Sequence, residues 1–219
     1  MEVAMKTNTN WNIYDAISVA VDVFNTQGYV KAFDVSDKKP NKQVVLDRLN
    51  QITNGLRLVP DYHETVEQIL DLKKELLLKK MTGTITSYEQ QVLAVLDSDQ
   101  VNQRYVGIVA SLPRVHQNYL KKQQRQKEYA FYQENSRFVG QVGQSIETDV
   151  TLINVYNNDM HDFCVYTFTD SQNNVIKWLT QKYLDHNIGS KATLKGRVKS
   201  HKITEYYGHE TVVKNCVLK

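Results

Sequence analysis

The chain has little of what punctuates or staples a fold. Two cysteines in 219 residues, Cys164 and Cys216, are too few for a disulfide scaffold and suit a reducing compartment. Three prolines and nine glycines leave long stretches free to run as helix or strand. No apolar run approaches the length of a membrane span, so no membrane association is expected. The amino-terminal stretch lacks a charged start followed by an apolar core, so a secretory signal is not expected and the cytoplasm is the expected location.

Reaction motifs are missing as well. There is no phosphate-binding glycine loop, Rossmann fingerprint or Gly-x-Ser-x-Gly elbow. His161 with Cys164, and His209 with Cys216, lack the spacing of a zinc site, since no Cys-x-x-Cys pair or His-x-x-x-His helix supports them. Asp61, Glu64 and Glu67 fall at helical spacing, which capping and a solvated face explain better than a magnesium site. No catalytic residue, metal or cofactor is therefore expected. What remains is an ordinary globular composition, 41% hydrophobic and 23% charged, with a net charge of +3 that permits an anionic partner without requiring one.

Residues 12–132 read as helix. Ile13, Ile17, Ala20 and Phe24 make one apolar stripe, and Val44, Val45, Leu49 and Ile52 another. Pro60 and Asp61 mark a helix start, with Glu64 completing a capping-box-like signal. That helix buries Val66, Ile69, Leu70, Leu72, Leu76 and Leu77 and should stop near Gly83. Thr86 or Ser87 caps the next helix, with Glu89 in its first turn. Asp97 and Asp99 break the pattern, a further helical run begins near Gln100, and Pro113 kinks or ends it. A long polar helix, 116–133, then leads toward the carboxy-terminal region. Over residues 1–135, seventeen Lys or Arg against sixteen Asp or Glu give this half almost no net charge.

From about residue 136 the period changes to two. The expectation is an α+β chain with a helical domain, 1–135, followed by a five-stranded β-barrel, 136–219. A first strand is expected over 137–142 and 148–156, with Gly140 and Gly143 at a bend and a turn at Asn157, Asn158 and Asp159. Residues 162–170 and 175–180 form a hairpin. The fourth strand covers 191–203 and the fifth 210–218. Tyr206, Tyr207 and Gly208 sit at the tip between them. The fourth strand carries Lys191, Lys195, Arg197, Lys199 and Lys202 and meets no acid until Glu205, which implies an anionic partner or a solvated edge.

Phe168, Thr169 and Asp170 with Asn174 and Trp178, residues 194–201, and residues 207–213 together carry a family resemblance. The region 138–219 resembles oligonucleotide-binding (OB) folds, the Greek-key barrels of single-stranded DNA-binding proteins, in a version found in phages and mobile elements. Two departures stand out: Asn173 and Asn174 where a Gly-Asn turn is often found, and Glu210 where a neutral Gln is expected. The resemblance implies a short plugging helix over 181–187 between the third and fourth strands, and a non-enzymatic single-stranded DNA-binding protein acting in replication or recombination, in host cytoplasm if phage-encoded.

Such a protein needs rings for base stacking and cations that follow the phosphates. The candidate rings are Tyr156, Tyr166, Phe168, Trp178, Tyr206 and Tyr207. The candidate cations are Lys177, Lys191, Lys195, Arg197, Lys199 and Lys202. Alternate residues of a strand face opposite ways, so some of these rings must be core instead. RNA is an alternative ligand, because stacking does not distinguish sugars. The other reading is an interaction or assembly protein whose barrel and helical half recruit replication or recombination partners. A nuclease is the third.

Overall fold

Asn12 accepts a hydrogen bond from the Tyr14 amide and so starts the first helix, α1 (Ile13–Gln27), in a computed structural model that describes residues 9–34, 37–158, 160 and 162–219. The amino-terminal stretch 1–8, Asp159 of the expected turn and His161 lie outside the described residues. Contacts divide the chain into two compact units, Met1–Lys121 and Lys122–Lys219. The division falls inside the long helix rather than at its end.

In the first unit α1 is the central element. Ala16, Ile17, Val19, Ala20, Val21 and Val23 are all buried, because neighbours cover it nearly all round. Around it lie α2 (Asn41–Thr53), α3 (His63–Met81), α4 (Ser87–Leu96) and the short α5 (Val106–Val109). Both expected apolar stripes reach the shared core through Ile17, Ala20, Val45 and Leu49. The α4 start matches its sequence signal. Thr86 Oγ1 accepts from the Glu89 amide, and the Glu89 carboxylate accepts from the Thr86 amide.

Three expectations for this unit change. The helix expected to start at Asp61 starts at His63, and Asp61 accepts from the His63 amide without forming a capping box. Residues near Gln100 form a strand rather than a helix: β2 (Gln100–Asn102) pairs antiparallel with β1 (Asn10–Asn12), Trp11 opposite Val101. Pro113 neither kinks nor ends a helix. It occupies the first turn of α6 (Leu112–Asn135), where amides have no intrahelical acceptor and its missing N–H is harmless.

The second unit is a closed five-stranded barrel preceded by the last turns of α6. Its strands are β3 (Ser145–Asn158), β4 (Phe163–Asp170), β5 (Val175–Thr180), β6 (Lys191–Thr204) and β7 (Gly208–Leu218). They close in the order β3-β4-β5-β7-β6, and β5 and β7 run parallel while the other pairs are antiparallel. That arrangement is consistent with an OB-like fold, so the chain is α+β, a helical amino-terminal part followed in sequence by a carboxy-terminal barrel. Ile146, Val150, Leu152, Leu194, Val198, Val213 and Cys216 fill the interior.

The β4–β5 turn is made by Asn173 at φ 64, so asparagine takes the left-handed position itself. Asp170 accepts from the Gln172 and Asn174 amides and from Asn174 Nδ2, which holds the turn without a glycine. Two further expectations are corrected. Residues 137–144 are not strand, because their amides find side-chain partners: Arg137 donates to Asn174 Oδ1 and Val139 to Thr211 Oγ1. Residues 181–187 form no helix. The Leu184 amide donates to Tyr166 Oη, and the Gly189 amide and Ser190 carbonyl pair with Leu152, so the segment is drawn along the barrel edge.

Among the described residues no helix is long and apolar enough to cross a membrane, and no three His, Cys, Asp or Glu side chains gather as a metal site.

Candidate nucleic-acid interface

Strand alternation decides which rings can meet a ligand. In β4, Cys164, Tyr166 and Phe168 share one parity and point into the barrel. Across the ladder Tyr166 faces Trp178 and Phe168 faces Ile176, with Tyr166 and Trp178 ring centroids 6.1 Å apart. Tyr166 Oη also donates to the Lys182 carbonyl, so even its polar end is engaged. Tyr166, Phe168 and Trp178 are therefore barrel core. Their faces are covered by neighbours, and the stacking role expected of them does not fit their placement.

Lys177, on the opposite parity of β5, is also unavailable. Its Nζ lies 2.8 Å from Glu210 Oε1 on β7 and 4.9 Å above the Tyr207 ring. Thr204 Oγ1 donates to the same carboxylate oxygen at 2.6 Å. Tyr207 is buried beside Tyr129 and Tyr132 of α6, and that burial pushes its phenol above the ordinary range. The last turns of α6 thus cover part of the outer face of β5 and β7. Gly208 shows how closely they approach: at φ 64, a Cβ there would lie 2.9 Å from the Gln133 Cα. Tyr206 stays half exposed, edge-on to Tyr129 at 5.3 Å.

The cations of β6 lie differently. Lys191, Lys195, Arg197 and Lys199 alternate with the less exposed Ala192, Leu194, Gly196 and Val198, so they form a row on the outer surface. Bulges beside Arg197 and Lys199 keep the row outward as the strand bends, and Asn215 at φ 54 accommodates the first. Lys195 is bound to Glu147 on β3 at 3.1 Å, which holds that carboxyl below its ordinary value. Arg197 Nε donates to the Gly143 carbonyl at 2.6 Å. Lys191, Lys199 and Lys202 are exposed.

Register adds residues that the sequence reading passed over. Tyr156 is 56% exposed and faces Val165, which faces Leu179, itself 49% exposed. The parallel pairing of Trp178 with Val213 puts Lys214 in line with Leu179, and Lys214 faces Arg197. A band therefore runs across the barrel from an exposed ring, over two aliphatic side chains, to two cations. Leu179 and Lys214 were findable only by extending strand parity across the β5–β7 pair, which lies far apart in sequence. Rings and aliphatics can support a base, and cations beside them can neutralise phosphates.

No family model, curated protein or solved structure matches the chain.

Proposed function

We propose that the barrel unit binds single-stranded nucleic acid, DNA in the first instance, without catalysing a reaction. The band from Tyr156 through Val165 and Leu179 to Lys214 and Arg197, flanked by Lys199, Lys195 and Lys191, carries this reading. Tyr156 and Tyr206 are the exposed rings of the original candidates, and Lys202 extends the basic strand toward the β6–β7 turn. Stacking accepts any base and phosphate contacts carry no sequence, so selectivity among sequences should be weak. The resemblance to phage and mobile-element barrels supports a role in replication or recombination.

Anisotropy titration of labelled oligo-dT, oligo-U and duplex DNA over a range of salt tests the reading. Binding to oligo-dT should be tightest and should fall steeply with salt. The variant Arg197→Glu/Lys199→Glu/Lys214→Glu should lower the logarithmic salt slope by about 2, at roughly 0.7 per phosphate contact. Equal or absent binding to strand and duplex would sink the proposal.

Phe33, Leu56 and Leu58 on the helical unit are nearly fully exposed, which supports a second reading as an assembly protein that recruits partners. Partner capture without any effect on DNA would favour it.

A further inference from the structure

A second ring-and-cation surface lies within the helical unit. The loop after α1, the start of α4 and the α5–α6 corner enclose two adjoining troughs of about 860 and 540 Å³, within the size range of ligand pockets. Tyr29, Tyr88 and Ser111 line both and form the ridge between them. Arg114 and Lys31 stand on one side and Arg104 and Tyr105 on the other.

Tyr88 is held in place by its edge. Ser111 Oγ donates to the Ile108 carbonyl at 2.6 Å, so the Tyr88 hydroxyl, 2.6 Å from Ser111 Oγ, donates to it. The ring is thereby fixed by its hydroxyl and remains 44% exposed. Tyr105 is similarly exposed at 38%. Arg104 and Arg114 are exposed; Arg114 reaches Gln117 Oε1 at 2.8 Å, which still leaves donors of its fork unused. Asp34, the one acid among the described lining residues, accepts the Lys31 amide.

Flat rings, one of them anchored by its hydroxyl, with guanidinium groups on either side, suit a ligand that is itself a flat ring bearing an anionic group. We propose that these adjoining troughs hold a nucleotide unit of a single strand, its base against Tyr88 or Tyr105 and its flanking phosphates beside Arg104 on one side of the ridge and Arg114 on the other. The helical unit then contributes directly to nucleic-acid binding, and this contribution does not depend on the barrel band.

The test uses the full chain and an oligo-dT carrying 4-thiothymidine, with photo-crosslinked peptides mapped by mass spectrometry. Crosslinks are expected on peptides containing Tyr29, Tyr88 or Tyr105. Arg104→Glu/Arg114→Glu should weaken oligo-dT binding about tenfold or more and lower the salt slope by about 1.4. Because both side chains are exposed, circular dichroism should show an unchanged fold; should it not, Tyr105→Ala and the wild-type crosslink map carry the test. 4-Thiothymidine monophosphate crosslinking at the same peptides, with oligo-dT failing to do so, would reassign the ligand from a strand to a free nucleotide and overturn the strand proposal. No crosslink there by either probe, with binding and salt slope unchanged in the arginine variant, would overturn the site altogether. The barrel variant Arg197→Glu/Lys199→Glu/Lys214→Glu is run in parallel, so failure of one surface is read separately from failure of the other.

Discussion

Lys177 and Glu210 meet across the parallel β5–β7 pair, with Nζ 2.8 Å from Oε1 and the carboxylate side chain only 2% exposed. A carboxylate so buried depends on its partners, here the ammonium of Lys177 and the hydroxyl of Thr204. Removing either charge alone, by Lys177→Met or Glu210→Gln, should lower unfolding stability by about 3–5 kcal/mol. Replacing both together with apolar residues should cost clearly less than the sum. Urea unfolding of the three variants checks this, and strictly additive losses would refute the coupling. Loss of DNA binding in a Lys177 variant would therefore report damage to the barrel rather than a missing phosphate contact.

Trp178 makes a separate prediction. As a core ring, its removal by Trp178→Ala should cost about 3–5 kcal/mol. In a Trp11→Phe background, where Trp178 is the one remaining indole, saturating oligo-dT should leave its emission nearly unchanged. Strong quenching would mean that the ring does meet a base.

Glu147 should oppose binding. It occupies Lys195 at 3.1 Å within the basic row, so Glu147→Gln should free that cation and tighten oligo-dT binding at low salt. Stability should be nearly unchanged, since the pair is exposed. Lys195→Ala should weaken binding less than Lys199→Ala. The reverse order in a salt titration would contradict this account.

Glu89 sets an acid limit on the helical unit. Its ion pair with Lys79 and its bonds to Thr86 lower the carboxyl from 4.5 to about 2. An acid with a depressed folded-state value contributes stability that is present above its unfolded value and lost as pH falls through the folded one. That contribution should therefore fade between about pH 4.5 and 2, and Glu89→Gln should remove this part of the acid sensitivity. Thr86→Ala should cost about 1 kcal/mol at neutral pH. Melting curves of the wild type and both variants across this range provide the measurement.

What could be read in the sequence was what depends on near neighbours. Thr86 and Glu89 are three residues apart, so a cap at Thr86 or Ser87 with Glu89 in the first turn was legible, while the choice of Thr86 and the reciprocal bond from Glu89 came with the structure. The β4–β5 hairpin and the basic strand β6 were legible because alternation is a local pattern. Parity shows which residues share a face, but not which face is inside. Tyr166, Phe168 and Trp178 are therefore core although they read as candidate platforms. The β1–β2 pair joins residues near 10 to residues near 100, and each three-residue strand is too short for its alternation to stand out. Lys177 read as a phosphate contact because its partner, Glu210, belongs to a strand placed beside it only by barrel closure. A helix over 181–187 was expected from the type of barrel, but the segment's apolar residues are Tyr183 and Leu184, and Tyr166 Oη captures its backbone instead.

The approach of Gly208 to Gln133 bears on where the chain can be divided. A fragment starting at 136 would begin after the period of the sequence changes, yet it would leave behind Tyr129, Tyr132 and Gln133. Tyr207 would then lose its aromatic neighbours on α6, and the buried side of Lys177 and Glu210 would open to water. A piece that keeps the barrel walled on that side must include Tyr129 and so start inside what the amino-acid pattern marks as helix.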